Sequence, residues 1–279
     1  MVSLYSTMNI VSITSLELPE LIPYRTLRRP VEHFRQGVFV AEGEKVVRRL
    51  LESPHELLSA LMTPEWLEEY HERLKARPEQ FHVYVGTKKV LEKIVGFNLH
   101  QGIMALGRIP EPAHLDSLLL TTASPHIFVA LEGLTNSENL GVLVRNCAAF
   151  GIQAVLVGET SSSPYLRRAV RNSMGTVFTV PIVHCTSLVE TLTFLRMTQQ
   201  FFIVAAHPHT EEHTIQTTDF SRHCCIVFGS EGNGISPQVF AVCDAASAIP
   251  MQHGIDSLNV ASASAVFLYE VMRQRAILP

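Results

Sequence analysis

The residues best suited to chemistry are Asn139 and Arg145, the run Phe228-Gly229-Ser230-Glu231-Gly232-Asn233-Gly234, and the later segments Ile249-Pro250-Met251 and Ser257-Leu258-Asn259-Val260. Gly229, Gly232 and Gly234 follow an apolar run. Glycines at such a place permit positive φ and close approach of a ligand to backbone N–H and C=O groups. The later segments repeat the arrangement. Two strand-end loops converging on one place describe a pocket built largely from backbone, with the lone arginine and asparagine forming a polar reaction centre beside it. The plainer alternative is a tight turn before a helix that starts near Ser236-Pro237. The spacing G-x-x-G-x-G is not the dinucleotide fingerprint G-x-G-x-x-G, and no G-x-x-x-x-G-K-[ST] occurs. A loop at the C-terminal end of a strand is nevertheless where open parallel sheets bind ligands.

These loops need elements to hold them, and the hydrophobic pattern supplies two sets. Before the proline-punctuated stretch Ile109-Pro110-Glu111-Pro112, strands are predicted at 37–40, 57–62 and 81–85, with 102–106 closing the unit. Helices are predicted at 44–51, 66–77 and 88–95, with Val46, Val47, Leu50 and Leu51 on one face of the first. The first fifteen residues are ambiguous. After the stretch, strands are predicted at 126–131, 153–157, 178–183, 201–206, 224–228 and 246–249. Helices are expected at 140–150, 166–173, 188–197, 237–242 and 258–275. Near-continuous apolar strands alternating with helices indicate an α/β fold with a parallel sheet covered on both faces. The expected organisation is an N-terminal extension (1–18), a small α/β domain (19–109), a linker (110–123) and a larger α/β domain (124–279).

Composition narrows the class. The chain has 279 residues and a formal net charge of −4, which does not mark a nucleic-acid binder. Basic clusters still occur at Arg25/Arg28/Arg29, Arg48/Arg49, Lys88/Lys89 and Arg167/Arg168/Arg171, and they permit phosphate contact. No run reaches the roughly 18 apolar residues of a membrane-spanning helix, and the N-terminus lacks a signal-peptide pattern. A soluble, cytoplasmic protein is expected. The five cysteines form no C-x-x-C pair and read as small core residues. His207, His209 and His213 are spaced loosely enough for a metal but lack partnering Cys or Asp positions, so no metal is expected.

Taken in order, Asn139-Leu140-Gly141-x-x-x-Arg145-Asn146, Gly229-Ser230-Glu231-Gly232-x-Gly234 and Ile249-Pro250-Met251…Ser257-Leu258-Asn259-Val260 resemble the three motifs of the SpoU/TrmH branch of the SPOUT RNA methyltransferases. Ala149-Phe150-Gly151 closes the first motif and Leu268-Tyr269-Glu270 follows the third. The likeness covers about 124–275. A less specific one, through Phe39-Val40-Ala41-Glu42-Gly43 and Gln101-Gly102-Ile103-Met104-Ala105, relates the first domain to the substrate-binding domain of many members.

The resemblance implies a trefoil-knotted α/β domain, an exception to the usual avoidance of knots. It also implies bent S-adenosylmethionine as cofactor, a homodimer, and methylation of a ribose 2′-hydroxyl in RNA. Ribosomal RNA is the preferred substrate. Transfer RNA, or an inactive RNA-binding protein on the same fold, are the alternatives. On this resemblance Arg145 stabilises the hydroxyl as charge develops, Asn139 positions Arg145 or the ribose, and Glu231 orients the hydroxyl or a neighbouring loop, a structural loop carboxylate being the alternative. Ser257 and Asn259, in the last loop, hold the substrate or the knot itself, while Gly229, Ile249, Met251 and Leu258 enclose the cofactor. Asn139, Ser257 and Asn259 also suit helix N-caps, and by composition alone Ile249, Met251 and Leu258 read as core residues. Two departures stand out. Ser137 replaces a proline common in the family, and His253 lies in a third-motif loop whose glycine comes one place late, where it either reaches cofactor or substrate or, the more ordinary reading, is an exposed loop histidine.

Overall fold

A computed structural model describes residues 8–275, apart from 14, 28, 100, 211, 212, 254 and 255 and the side chains of 30 and 31. Arg28 and the late glycine Gly254 therefore lie outside the described residues. The chain forms two compact units, one of 1–111 with Tyr165–Phe178, the other of Pro112–Pro164 with Thr179–Pro279.

The first unit contains β1 (Met8–Ser12), α1 (Ile22–Arg25), α2 (Pro30–Arg35), β2 (Val38–Glu42), α3 (Glu44–Leu51), β3 (Leu57–Met62), α4 (Pro64–Lys75), β4 (Phe81–Val85), α5 (Lys88–Val95) and β5 (Ile103–Arg108). Its sheet runs β1-β4-β3-β5-β2, with β5 antiparallel to both neighbours and the other pairs parallel. Successive strand residues point to opposite faces. Val40, Leu61, Tyr84, Met104 and Leu106 meet Tyr24 of α1 and Leu91, Ile94 and Val95 of α5. Phe39 points the other way, toward the ring of Phe178, on the side of α3. Each such fully buried side chain contributes about 1.5–3 kcal/mol. β1 is an edge strand in which only Met8 is buried, so the alternation that marks a strand is missing from its sequence.

The second unit begins with α6 (Leu115–Thr121), inside the stretch expected as a linker. Leu115, Leu118 and Leu119, at helical spacing, pack on the core there. β6 (Ile127–Leu131), α7 (Ser137–Ala149) and β7 (Ala154–Val157) follow. The chain then enters the first unit through α8 (Arg167–Asn172), where Arg167 and Arg171 pair with the mostly buried Glu42 at the end of β2. It returns through β8 (Ile182–His184), α9 (Leu188–Gln199), β9 (Phe202–Ala206), β10 (Cys224–Phe228), α10 (Pro237–Phe240), β11 (Ala245–Ser247) and α11 (Val260–Gln274). The strand expected at 178–183 is displaced: Thr176–Phe178 is a 3-10 turn, and the strand starts only after Pro181, which cannot donate to a ladder. The sheet, β11-β9-β10-β6-β7-β8, is parallel throughout, as the apolar runs predict. All five residues of β6 and of the adjacent β10 are buried.

α11 is held at both ends. The Arg275 guanidinium donates to the carbonyls of Phe220, Pro125, His126 and Arg222 at 2.6–2.9 Å. At the other end Asn146 of α7 donates to Ala261 O at 2.7 Å and Ser264 Oγ at 3.0 Å. Four cysteines are buried and Cys243 is half-buried. Burial pushes the Cys224 thiol up to about 11 and Cys243 up to about 12, so these are protonated packing groups.

Candidate active site

The glycine-rich loop leaves the C-terminal end of β10 and folds back on itself. Ser230 and Gly234 exchange two backbone hydrogen bonds, N to O, at 3.0 and 2.9 Å. Gly229 is required by space. A Cβ there would sit 2.3 Å from the carbonyl group of Gly234, closer than any side chain tolerates. Gly234 is required by conformation, its φ being +67°. The close approach expected for a ligand at Gly229 is thus made by the loop's own backbone.

Asn139, Glu231 and Asn259 come from three separate motifs and meet in one hydrogen-bonded ring. Glu231 Oε1 accepts from Asn139 Nδ2 at 2.6 Å and from Asn259 Nδ2 at 2.7 Å. Asn259 Nδ2 also donates to Asn139 Oδ1 at 3.1 Å. The capping question resolves differently for the two asparagines. Asn136 caps α7, its Oδ1 accepting from Glu138 N and Asn139 N, which leaves the Asn139 side chain for the ring. Asn259 does both: its Oδ1 accepts from Ala261 N at 3.0 Å, capping α11, while its Nδ2 serves the ring. Ser137 is the first residue of α7, and the Asn136 cap secures the turn there.

On one side of the loop lies a cavity of about 510 Å3. Gly229, Ile249, Met251 and Leu258 all line it, with Ser257, Asn259 and Glu231. Phe228 and Phe267, whose rings meet edge-on at 5.7 Å, form part of its wall. A second cleft of about 670 Å3 opens on the other side, lined by Asn139, the segment 132–136 and the same loop. The ring sits at the seam.

Arg145 is not brought to this ring. It is exposed, lines neither cavity, and makes no hydrogen bond or ion pair among the described residues. At 3.6 residues per turn it lies about two-thirds of a turn round α7 from Asn139. His253 is exposed with φ +60° and does not line the cavity. The sequence reading missed Asn136 and Asn146 as the residues that free Asn139 and fasten α11. Asparagine immediately before an apolar-periodic run was the available signal for the first. His207 and His209, considered above only for a metal, instead line the cavity. Among the described residues, no group of His, Cys, Asp and Glu could hold a metal ion, and no helix is long and apolar enough to cross a membrane.

A parallel α/β sheet with a cavity of this kind over its C-terminal strand ends defines a ligand-binding α/β unit, and known proteins narrow its class. Residues 126–269 match the SpoU rRNA Methylase family. An uncharacterized tRNA/rRNA methyltransferase of Mycobacterium tuberculosis is 33% identical over 91% of this chain and 89% of its own. The 23S rRNA (guanosine-2'-O-)-methyltransferase RlmB of Acinetobacter baylyi is 34% identical over 72% of this chain and 82% of its own. A crystal structure titled RNA 2'-O ribose methyltransferase superimposes with a TM-score of 0.75 at 28% identity, covering 95% of this chain and all (100%) of that one. The chain belongs to the SpoU rRNA methylase family.

Proposed function

We propose that the protein transfers a methyl group from S-adenosylmethionine to a ribose 2′-hydroxyl of structured RNA, with ribosomal RNA as the substrate. The observation that carries this reading is the Asn139–Glu231–Asn259 ring at the seam of a cofactor-sized cavity and a second cleft. The cavity suits the cofactor in size, since small-molecule sites span roughly 300–1,000 Å3. It suits it in chemistry too: apolar Ile249, Met251 and Leu258 offer a wall for the adenine, and the loop offers backbone donors. Relatives named as 23S rRNA (guanosine-2'-O-)-methyltransferases support the ribose and the rRNA assignments.

The cofactor, when bound, supplies an electrophilic methyl group and a neutral leaving group. The protein supplies alignment and charge. Alignment alone is worth up to about 7–11 kcal/mol of a bimolecular barrier. Glu231 Oε2 has no partner among the described residues, so it is free to accept the hydrogen bond of a hydroxyl, aim it, and take its proton as the methyl group passes from sulfur to oxygen. Oxygen gains negative charge as it attacks, and a guanidinium stabilises that charge without serving as a base, its pKa exceeding about 12. We assign this to Arg145, delivered by a second copy of the chain. Arg145 shares its exposed side of α7 with Ala149, and the adjoining helix α11 exposes Val266 (36%) and Tyr269 (51%). Exposed apolar side chains and an exposed cation on two helices packed together suit a homodimer contact better than open solvent. The first unit is assigned to gripping RNA.

The test pairs two measurements. Ribose-methylation mapping of RNA from cells with and without the protein should show one 2′-O-methyl mark in ribosomal RNA that depends on it. Nucleoside digestion of RNA methylated by the purified protein should release a 2′-O-methylnucleoside. A methylated base in that digest would overturn the ribose assignment. A dependent mark confined to transfer RNA would overturn the ribosomal one.

A further inference from the structure

The strand order sets a sequence of groups along the C-terminal edge of the parallel sheet. Ile249 follows β11, His207 follows β9 and Glu231 follows β10, while β6 leads to α7 and Asn139. β9 lies between β11 and β10, so His207 stands between the apolar end of the cavity and the ring. Its position is well fixed. The backbone N of His207 donates to Ser247 O at 3.0 Å, and its ring packs edge-on against Phe240 at 5.5 Å.

The ring's own hydrogen bond settles which nitrogen carries the proton. His209 N donates to His207 Nδ1 at 3.2 Å, so Nδ1 is an acceptor and the neutral ring holds its hydrogen on Nε2. That Nε2–H has no partner among the described residues. Among the described residues lining the cavity there is no lysine or arginine, and Glu231 is the acidic one. Neutral donors therefore serve a ligand there, and of those that line the cavity His207 is the one that directly follows β9, between the apolar end and the ring.

We infer that His207 is a cofactor-binding residue, its Nε2–H donating to an oxygen of S-adenosylmethionine that lies between the adenine wall and the reacting centre. This rests on the cofactor reading above. Two oxygens have the required chemistry: a ribose hydroxyl and the carboxylate of the amino-acid tail. Burial, and then the neighbouring His209 ring, holds His207 below the usual histidine range. The donor is accordingly neutral at pH 7 and sets no second positive charge beside a sulfonium.

The experiment is calorimetric titration of the full chain with S-adenosylhomocysteine and with 5′-methylthioadenosine, which lacks the amino-acid tail. His207→Phe keeps a ring against Phe240 and removes the donor, and His207→Gln restores an N–H. Matching melting temperatures and RNA affinities would establish that both variants are folded. His207→Phe should bind S-adenosylhomocysteine about tenfold more weakly, the scale of one neutral hydrogen bond, and His207→Gln should recover most of that. A loss repeated with methylthioadenosine places the acceptor on the ribose, and a loss confined to S-adenosylhomocysteine places it on the carboxylate. Equal affinity of wild type and His207→Phe for both ligands overturns the inference and leaves the cofactor reading standing. Failure of the wild type to bind S-adenosylmethionine or S-adenosylhomocysteine would overturn both.

Discussion

Glu231 carries two jobs on two oxygens. Oε1 takes both asparagine amides and ties three distant segments together, while Oε2 remains open. Glu231→Gln separates these jobs. The glutamine carbonyl can still accept from Asn139 and Asn259, so the cavity wall should persist, but the open carboxylate oxygen becomes an amide donor. We expect cofactor affinity within about threefold of wild type and a fall of about 100-fold in the methylation step, the scale of losing one preorganised polar group. Single-turnover methylation beside calorimetry reads both, and an unchanged rate would reduce Glu231 to a structural tie. At this scale the sequence was half legible. Motif order identified Asn139, Glu231 and Asn259 as candidates. Their mutual bonding was not readable, because it depends on Asn136 taking over the cap and on a loop closing at Gly229 with no room for a Cβ. Asn139 and Asn259 suit caps as well as sites, and only three-dimensional placement separates the two.

At the scale of elements, strong periodicity translated directly. α3, β3, β4, α5 and β10 fall where the hydrophobic pattern puts them, because each buries a clear face or a continuous apolar run. Elements with few buried residues escaped: edge strand β1, the short α1 and α2, and α6 within the stretch expected as a linker. The helices of the first unit also differ in charge, which bears on RNA. On the sheet face covered by α1 and α5, the exposed cations Arg25, Lys89 and Lys93 form no ion pair among the described residues. α2, joined to α1 by a 3.0 Å bond between Thr26 and His33, adds Arg35 and the half-exposed Phe34. α4, bonded through Tyr70 to Glu44 of α3, instead displays Glu65, Glu68, Glu69 and Glu72 on one side. A polyanion should favour the first helices. Lys89→Glu with Lys93→Glu should weaken RNA binding by about tenfold or more at low salt and flatten its salt dependence, since each lost phosphate contact lowers the slope by about 0.7–0.9. Glu68→Lys with Glu69→Lys is the matched control. Filter binding across a salt series decides it, and equal weakening by both pairs would remove the assignment of RNA to this face.

For the whole molecule, the parallel sheet of the second unit was legible because buried strands read as apolar runs. The return of Tyr165–Phe178 to the first unit was not, since Glu42, Arg167 and Arg171 are far apart in sequence and announce nothing singly. Arg145 poses the same difficulty one level higher. A single copy leaves it exposed, off the ring and without an ion pair among the described residues. If a homodimer shares its sites, each one needs the ring of one copy and Arg145 of the other. Arg145→Ala and Asn139→Ala should then each abolish turnover as pure homodimers while still binding cofactor. Unfolded and refolded together in equal amounts, they should regain activity. Random pairing makes about half of the dimers mixed, each with one intact site of two, so about a quarter of wild-type activity is expected. If Arg145 served the ring of its own copy, every site in the mixture would lack one residue or stand intact in neither partner, and mixing would restore nothing. A methylation assay on the refolded mixture, with each variant refolded alone as reference, distinguishes the two arrangements.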